Sequence, residues 1–403
     1  MTEYYIGLLS GTSVDSIDGA LVSFDDTTLT RRCASTSPAS GRGEKPEKAD
    51  KAITVHATHS IDMPKAIRAQ LLQISTTAGQ STLSLEQLGL LDNQLGNLFA
   101  DCALQLIHKS QIPKELIRAI GSHGQNIYHN PQIKFTLQIG NPYIIAQRTG
   151  IPTVHDFRRG DMVQGGQGAP LAPLFHHALF YSNQINRVIL NLGGIANITV
   201  LKPGLAYPLC GFDTGPANSL IDALCVKYFN QSYDHNGELA ASGKIQEKLL
   251  TSLLQDSYFK KAPPKSTGKE YFNLNWLEKH LDQDYAAEDL LATLTELSAQ
   301  STSDQIKQLF NTAQFDLAFK TELICCGGGV YNAYFLSRLQ FQLEKISQDI
   351  TLHNTEILDL DPKWVEAALF AWLAKMRIEE KSLDLKSTTG SISPVVLGAL
   401  CCP

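Results

Sequence analysis

Two segments that lie about half a chain apart share one arrangement of apolar and polar positions. Residues 4–24, YYIGLLSGTSVDSIDGALVSF, contain an apolar run, a turn of Gly, Ser, Thr and Asp, and a second apolar run. Residues 187–201, RVILNLGGIANITVL, repeat this layout around Gly193 and Gly194. Two apolar runs joined by such a turn predict a β-hairpin. One hairpin in each half of the chain indicates two related lobes that face one cleft.

Helices and strands alternate through the rest of the chain. Apolar spacing predicts helices over 84–108, 170–182, 217–229 and 364–376. Strands that end in turns are predicted within 117–125 and 322–332. This alternation is typical of an α/β fold. Residues 35–52, which are rich in Pro, Gly and Lys, are predicted to form a mobile surface loop.

Composition and charge narrow the class of protein. The chain has 403 residues, of which 43% are hydrophobic and 18% charged, as expected for a globular protein with two domains. Its formal net charge of −6 and its lack of a basic block argue against a nucleic-acid partner. No apolar run has the length of a membrane span, and the N-terminus does not resemble a secretory signal. Eight cysteines without a C-x-x-C pair lead us to expect reduced thiols in a cytoplasmic protein.

Three glycine-containing turns are candidate sites for a nucleotide. Backbone N–H groups and hydroxyls in the first turn could bind phosphate oxygens, although the P-loop lysine is missing. A second turn would let another backbone segment approach the ligand, and a glycine triplet could form a shelf for a nucleobase or ribose. Each turn alone is also compatible with an ordinary tight turn. The candidates are Gly11, Thr12, Ser13, Val14, Asp15, Ser16, Ile17, Asp18, Gly193, Gly194, Gly327, Gly328 and Gly329.

A second group of residues could recognise a polar substrate. Residues 155–161, HDFRRGD, precede the glycine-rich stretch 165–170, and either Arg158 or Arg159 could pair with a substrate carboxylate. The alternatives are a solvated loop with local Asp–Arg pairs and a histidine with a structural role. The candidates are His123, Gln125, Asp156, Arg158, Asp161 and Gln167.

Two carboxylates are candidates for the chemical step. Asp213 lies in GFDTGPAN before a predicted helix, where it could take a proton from a hydroxyl or water. The alternative role for this residue is that of a helix N-cap or a turn residue. Glu366 lies on the apolar helix 364–376, so it needs a partner or an aqueous cleft unless it is exposed at the N-terminal end of that helix.

Several long blocks of the sequence resemble the anhydro-N-acetylmuramic acid kinase family, of the sugar kinase/Hsp70/actin superfamily. They keep the family's order from residue 5 to residue 374 and are IGLLSGTSVDSID, AIGSHGQNIYH, LQIGNP, DFRRGDMVQGGQGAPLAP, LNLGGIANIT, GFDTGPANSLID, PPKSTGKEYFN, CCGGGVYN and EAALFAWLA, and PVVLGAL near the C-terminus also fits. The sequence departs from the family at Val14 and Ser16, where Leu and Gly are usual, and at Ala217, where Gly is usual. None of these changes removes a chemical group.

The resemblance implies both a fold and a reaction. The expected fold is α/β, with two actin-like (ribonuclease H-like) lobes around an ATP cleft. The N-terminal lobe would comprise 1–150, with the tail 376–403 returning to it, and the C-terminal lobe 151–375. Water would open 1,6-anhydro-N-acetylmuramic acid, and O6 would take the γ-phosphoryl group of ATP with the help of Mg²⁺. Asp213 would be the base and Glu366 a supporting carboxylate, with Asp161 as the rival base.

The expected partner is a small-molecule sugar in peptidoglycan recycling, not a nucleic acid or a membrane. A hydroxyl-directed sugar kinase of the same superfamily and a nucleotide-dependent sensor ATPase are the alternative functions. The sequence leaves a homodimer open and does not fix which acidic residue contacts Mg²⁺.

Overall fold

Two α/β units make up the part of the chain that the computed structural model describes, which is residues 2–11, 13–25, 52–76, 83–263, 265–311 and 319–403. Thr12 and nearly all of the predicted loop 35–52 lie outside these residues. The second unit is Phe180–Ile357, and the first contains the other described residues, including Leu358–Pro403.

The first unit is built on a sheet of seven strands within the described residues. The strands are β1 (Tyr4–Ser10), β2 (Ser16–Phe24), β3 (Ile53–Asp62), β4 (Ile117–Asn130), β5 (Phe135–Ile139), β6 (Thr153–His155) and β12 (Ala399–Cys401). Their main order is β12-β6-β4-β1-β2-β3, and β5 pairs with β4. Strands β1, β4 and β6 are parallel, whereas β2 is antiparallel to both β1 and β3.

The second unit contains a sheet with a matching arrangement. Its strands are β7 (Asn186–Leu192), β8 (Ile195–Leu201), β9 (Cys210–Pro216), β10 (Thr321–Cys326) and β11 (Ile350–Asn354). In the order β11-β10-β7-β8-β9, β7, β10 and β11 are parallel and β8 is antiparallel to its two neighbours. The order and directions are those of β6-β4-β1-β2-β3 in the first sheet. This repeat confirms the α/β fold and both predicted hairpins.

In chain order the helices are α1 (Lys65–Thr76), α2 (Leu85–Ser110), α3 (Pro142–Thr149), α4 (Arg159–Val163), α5 (Ala172–Phe180), α6 (Asn218–Leu224), α7 (Glu238–Ser242), α8 (Glu247–Leu254), α9 (Ser257–Lys260), α10 (Leu274–Glu278), α11 (Ala287–Asn311), α12 (Ala333–Glu344) and α13 (Val365–Ile378). The four helices predicted from apolar spacing correspond to α2, α5, α6 and α13 of the structure. Within the described ranges, no helix is both long and apolar enough to cross a membrane.

Helix α2 shows how the sequence fixes one of these elements. Ser84 caps its N-terminus in a capping box with Gln87, which satisfies two backbone N–H groups that a helix end would otherwise leave unpaired. Leu91, Leu95 and Phe99 recur at helical spacing and are buried in the core of the first unit. The predicted helix 84–108 is therefore confirmed.

Helix α13 lies unusually close to the first sheet because of two glycines. Gly7 in β1 and Gly121 in β4 are direct cross-strand partners. A Cβ atom at Gly7 would overlap the carbonyl oxygen of Ala367, and one at Gly121 would overlap that of Phe370. The absence of side chains therefore allows the helix backbone to contact the strands. This contact places Glu366, in the first turn of α13, next to the first sheet.

The two units do not have the limits that the sequence suggested for the lobes. Residues 151–179 and 358–375 belong to the first unit, although the prediction placed both segments in the C-terminal lobe. The reason is physical: β6 extends the first sheet, and α13 packs on β1 and β4. A hairpin pattern shows where a sheet begins, but it does not show which sheet a distant helix covers.

We expect Gly121→Ala to lower the free energy of unfolding by about 3 kcal/mol, because the added methyl group must displace the backbone of α13. Urea unfolding followed by circular dichroism would measure this loss. The matched control is Gly89→Ala, since no atom lies within 4 Å of the Cβ position there. An alanine at this helical position should stabilise the protein by about 0.5–1 kcal/mol. Equal effects from both substitutions would contradict the proposed close contact.

Candidate active site

Asp213 lies at a bulge in the second sheet. Asn197 pairs with Asp213, whereas the neighbouring Ala196 pairs with Gly215, so β9 contains one extra residue, Thr214. Such a bulge redirects the side chains beside it and is common near active sites. The residue that caps α6 is Ala217, so the alternative role of Asp213 as a helix N-cap is wrong.

The segment that contains Tyr258, Lys265 and Thr267 holds Asp213 through three hydrogen bonds. The backbone N–H of Thr267 donates to the Asp213 carboxylate at 2.9 Å. The Tyr258 hydroxyl donates to the Asp213 carbonyl oxygen at 2.8 Å, and the Asp213 N–H donates to the carbonyl oxygen of Lys265 at 3.2 Å. The backbone and the carboxylate of Asp213 are therefore both fixed by the same segment.

The surroundings of Asp213 raise its proton affinity. The pKa of its carboxyl is raised to about 6, mainly by burial, and the Glu270 carboxylate also acts to raise it. The hydrogen bond from Thr267 and the Lys265 ammonium act to lower this pKa. Burial also lowers the pKa of Lys265 to about 8. A carboxylate with a pKa just below neutral is mostly ionised at pH 7 but accepts a proton more readily than an exposed one. That is the property required of a general base.

The turn Gly193-Gly194 is fixed to the start of helix α6. The carbonyl oxygen of Gly194 accepts hydrogen bonds from the N–H groups of Ala217 and Ser219 at 3.0 and 3.1 Å. That of Gly193 accepts from the backbone and side chain of Asn218 at 3.1 and 2.9 Å. The turn is therefore held rigidly at the end of the second hairpin.

The glycine triplet lies beside the end of β7, which leads into this turn. Gly327 has a positive φ of 83°, and a Cβ atom there would lie 2.9 Å from the carbonyl oxygen of Leu192. A Cβ atom at Gly329 would lie 2.7 Å from the Leu192 side chain. At the exposed Gly328, no atom lies within 4 Å of the Cβ position. Gly327 and Gly329 thus allow close packing against Leu192, whereas Gly328 faces open space.

The first hairpin turn combines core residues with exposed groups. Val14 and Ile17 are fully buried, so only their backbone groups are available to a ligand. Val14 also has a positive φ of 57°, which is rare for a β-branched residue and is associated with turns under strain. Thr12, a candidate phosphate ligand, lies outside the described residues.

The two carboxylates of this turn have different partners. Asp15 forms an ion pair of 2.6 Å with Arg68. Asp18 accepts hydrogen bonds from the hydroxyls of Ser16 and Ser60 at 3.1 and 2.5 Å. In the described ranges, no three His, Cys, Asp or Glu side chains come together in a way that could hold a metal ion.

His123 and Arg158 form a fixed pair in the first unit. The Nε and Nη2 atoms of Arg158 lie 3.2 and 2.9 Å from Nε2 of His123, and Nη1 donates to the carbonyl oxygen of Gly168 at 2.8 Å. The His123 Nδ1 atom lies 3.0 Å from the carbonyl oxygen of Gly124. Since Nε2 accepts from Arg158, the imidazole is neutral with its proton on Nδ1. Burial, and then the Arg158 charge, hold the pKa of His123 well below its usual value.

Two carboxylates balance the charge of Arg158. Burial lowers the pKa of Arg158 to about 10, while Glu366 and then Asp161 oppose this, so the guanidinium stays charged at neutral pH. Glu366 is exposed in the first turn of α13, as the alternative for this residue stated. A negative charge there is also favoured by the helix dipole.

Asp161 is enclosed by the protein. Its side chain is fully buried and accepts hydrogen bonds from the N–H of Gly168 at 2.7 Å and the hydroxyl of Thr389 at 2.6 Å. Burial raises the pKa of this carboxyl, although these bonds oppose the rise. A base must reach its water, whereas these contacts hold the turn 161–168 against the C-terminal residues.

A cavity of about 400 Å³ lies wholly within the first unit. Its polar lining consists of Asp92, Ser122, His123, Gln138, His155, Asp156 and Arg159. Its apolar lining consists of Leu85, Leu88, Leu137, Ile139 and Pro142. The cavity therefore brings together two predicted substrate residues, His123 and Asp156.

The other predicted substrate residues do not line this cavity. Gln125 is buried, and its amide donates to the carbonyl oxygen of Asn126 at 3.2 Å. Gln167 is exposed, and its backbone N–H donates to the carbonyl oxygen of Thr389 at 3.0 Å. Arg158 and Asp161 are likewise not among the residues that line the cavity.

Sequence reasoning missed several residues that the structure places at these sites. Tyr258, Lys265 and Thr267 surround Asp213, and the last two lie in the block PPKSTGKEYFN, which carried part of the family resemblance. Gln138 lines the cavity and lies in LQIGNP, another of the family blocks, whereas Asp92 lines the cavity but belongs to no distinctive motif. The family blocks were thus a usable signal for Lys265, Thr267 and Gln138 but not for Asp92.

Comparison with known proteins identifies the class and then the family. The family model described as anhydro-N-acetylmuramic acid kinase matches residues 46–403. Proteins of that name from Coxiella burnetii and Pasteurella multocida are 42% and 43% identical over 401 and 403 residues, which cover 99% of this chain and 97% of each relative. One from Acinetobacter baylyi is 39% identical over 411 residues, covering 99% of both chains. The chain is a sugar kinase by class. It belongs to the anhydro-N-acetylmuramic acid kinase family.

Solved structures of other proteins are only distantly similar. The activator of 2-hydroxyisocaproyl-CoA dehydratase from Clostridium difficile aligns with a TM-score of 0.42 and 10% identity, covering 94% of this chain and 98% of that one. A ROK hexokinase from Thermus thermophilus aligns with a TM-score of 0.37 and 13% identity, covering 92% and 99%. Similarity at this level carries no further argument.

We expect Lys265→Met to raise the pKa of Asp213, because the substitution removes a positive charge that stabilises the carboxylate. Carbon-13 NMR titration of the aspartate carboxyl groups would measure it, with the Asp213 signal assigned by its loss in Asp213→Asn. Lys260→Met is the control, since this exposed lysine of the same segment does not contribute to the pKa of Asp213. An unchanged Asp213 titration in Lys265→Met would contradict this electrostatic coupling.

Proposed function

We propose that this protein is an ATP-dependent kinase that opens 1,6-anhydro-N-acetylmuramic acid and phosphorylates O6. The product would be N-acetylmuramic acid 6-phosphate. Family membership over nearly the whole chain supports the substrate class. The structural observation that carries the proposal is Asp213, a fixed and half-buried carboxylate with a pKa of about 6. A hydrolytic ring opening needs such a base at neutral pH, because water is a weak nucleophile.

The proposed reaction joins two bond changes. Water attacks the anomeric carbon C1 and loses a proton to the Asp213 carboxylate, while the bond from C1 to the bridging O6 breaks. O6 retains the electron pair and attacks the γ-phosphorus of ATP, so that ADP leaves. Phosphoryl transfer needs little covalent help from a protein, and its catalysis rests mainly on positioning and charge stabilisation.

Glu366 is the proposed supporting carboxylate, and Arg158 is a positioning residue for it. Glu366 lies at the start of a helix that packs closely on the sheet, and its charge interacts with the half-buried Arg158. Arg158 is in turn fixed by His123 and by the carbonyl oxygen of Gly168. The carboxylate thus has both a fixed backbone and a fixed counter-charge.

The glycine turns are the proposed nucleotide-binding segments. Gly193 and Gly328 in the second unit and Gly11 in the first offer backbone groups with little steric hindrance. Gly194 and the other residues of the turn 11–18 are proposed to bind the nucleotide with them. When bound, Mg²⁺ would neutralise phosphate charge. Because this ion usually takes one or two carboxylates, with phosphate oxygens and water as its other ligands, Asp15 or Asp18 would suffice without a cluster of acidic residues. The proposed setting is peptidoglycan recycling in the cytoplasm.

The proposed function is tested by following oxygen from labelled water. With ATP and 1,6-anhydro-N-acetylmuramic acid in H₂¹⁸O, we expect one ¹⁸O atom at C1 of the phosphorylated product, because solvent water opens the ring. Mass spectrometry of fragments from the anomeric end would locate the label. A phosphorylated product that retains the anhydro bridge would indicate a hydroxyl-directed kinase. ATP hydrolysis that does not depend on sugar would indicate a nucleotide-dependent sensor.

We expect Asp213→Asn to lower turnover by about 10²–10⁴-fold, because it keeps the shape of the side chain but removes the proton acceptor. Nucleotide affinity should remain, since the proposed phosphate contacts come from other segments. Turnover per folded protein would be compared with that of Asp161→Asn. The buried Asp161 should affect stability more than turnover. An active Asp213→Asn with a folded but inactive Asp161→Asn would reverse the assignment.

The pH profile gives an independent measure of the same base. For wild type, kcat/KM should rise with pH through about 6, because Asp213 must lose its proton before it can act as a base. The low-pH limb should be absent from the residual activity of Asp213→Asn.

A further inference from the structure

We infer that Arg159, at the cavity of the first unit, binds the carboxylate of the substrate's lactyl group and so selects muramyl sugars over sugars without that group. This inference rests on the proposed function, and it adds a specificity residue that the sequence could not distinguish from its neighbour Arg158. Two independent observations support it, one on the arginines and one on Ser122.

The cavity has the composition that such a ligand requires. Its volume of about 400 Å³ falls within the range of small-molecule sites, and its lining combines an apolar wall with a few polar groups. The wall contains Leu85, Leu88 and Leu137. An N-acetylated sugar with a lactyl ether presents methyl groups to such a wall and an amide, hydroxyls and a carboxylate to polar groups.

Arg159 can accept a new carboxylate partner without losing a strong bond. Its side chain is 51% exposed, and its ion pair with Asp156 measures 3.4 Å. Its hydrogen bond from Nε to the carbonyl oxygen of Thr136 is also 3.4 Å, which is longer than a good N–H···O bond. A planar guanidinium in this state can form the paired hydrogen bonds that a carboxylate prefers.

Arg158 lacks this freedom. Three of its nitrogen atoms lie 2.8–3.2 Å from His123 and the carbonyl oxygen of Gly168. It does not line the cavity, and a ligand could reach it only by displacing these buried contacts. Of the two adjacent arginines, Arg159 is therefore the one available to a substrate.

Ser122 provides the second observation. This residue lines the cavity and is only 2% exposed, and its hydroxyl has no hydrogen-bond partner among the described residues. A buried hydroxyl without a partner is unfavourable, so a polar ligand atom in the cavity would relieve the cost. Serine at this position therefore indicates a polar occupant.

The two acidic residues of the cavity already have partners. Asp156 is the ion-pair partner of Arg159, and one oxygen of Asp92 accepts a hydrogen bond of 2.7 Å from the N–H of Gly140. Burial lowers the pKa of His155, so this histidine adds no positive charge at neutral pH. The two carboxylates can instead accept hydrogen bonds from the hydroxyl and amide groups of a sugar.

The test compares two substrates and two matched arginine variants. Arg159→Gln should lower kcat/KM for 1,6-anhydro-N-acetylmuramic acid by about 10- to 100-fold, because a charged hydrogen-bond pair is lost. For 1,6-anhydro-N-acetylglucosamine, which lacks the lactyl group, the change should stay within about twofold. The control is Arg118→Gln, an arginine with 52% exposure and a single 3.3 Å ion pair with Glu3. It should leave both substrates unaffected.

Equal losses for the two sugars, or no loss for either, would overturn the inference. Ser122→Ala supplies a second measurement: it should raise KM for both sugars while the melting temperature stays the same or rises. A lower melting temperature together with unchanged KM values would remove Ser122 from the argument and overturn the site.

A binding measurement separates this inference from the proposed function. Calorimetric titration with N-acetylmuramic acid and N-acetylglucosamine needs no turnover. If wild type phosphorylates neither anhydro-sugar, the proposed function fails, but an Arg159-dependent preference for N-acetylmuramic acid would still support the site. If wild type turns over the muramyl sugar and Arg159→Gln keeps its full preference, the site is wrong and the function stands.

Discussion

The close contact between helix α13 and the first sheet is the constraint on which the candidate site of that unit depends. Two paired glycines allow the helix backbone to lie against β1 and β4. Phe370 of this helix packs against the His123 ring, with centroids 4.6 Å apart. His123 accepts from Arg158, and the charge of Arg158 is balanced in part by Glu366 at the start of the same helix. The close contact of α13 with the sheet therefore links the positions of the His123 ring, the Arg158 guanidinium and the Glu366 carboxylate.

The second unit fixes its key carboxylate by polar contacts rather than by close backbone packing. Burial alone would favour the protonated form of Asp213, whereas the N–H of Thr267 and the charge of Lys265 favour the ionised form. The resulting pKa of about 6 reflects these opposing effects, so removing the Lys265 charge would raise it further.

The sequence predicted those features that depend on local pattern. Alternating apolar runs predicted both hairpins, and helical spacing predicted α2 and α13 within about two residues. Strand β9 was missed, because CGFDTGP contains the Gly and Pro residues that usually mark turns and is a strand only through pairing with β8. The lobe limits were misplaced for a similar reason, since the packing of α13 on β1 joins residues that are far apart in sequence. The family blocks contain His123, Asp156 and Asp213 together with their partners Arg158, Arg159 and Thr267, but they did not show which of these residues pair.

The adjacent arginines show where sequence reasoning reaches its limit. Helix α4 begins at Arg159, with Arg158 at its N-cap, so the backbone at this junction determines which side chain is enclosed and which lines the cavity. Each guanidinium has an acidic counter-charge: Asp161 and Glu366 for the enclosed one, and Asp156 for the other. Separating an enclosed guanidinium from its partners costs free energy, so Arg158 is suited to a structural role. Arg159, which is half-exposed and weakly bonded, can exchange one carboxylate for another at little cost.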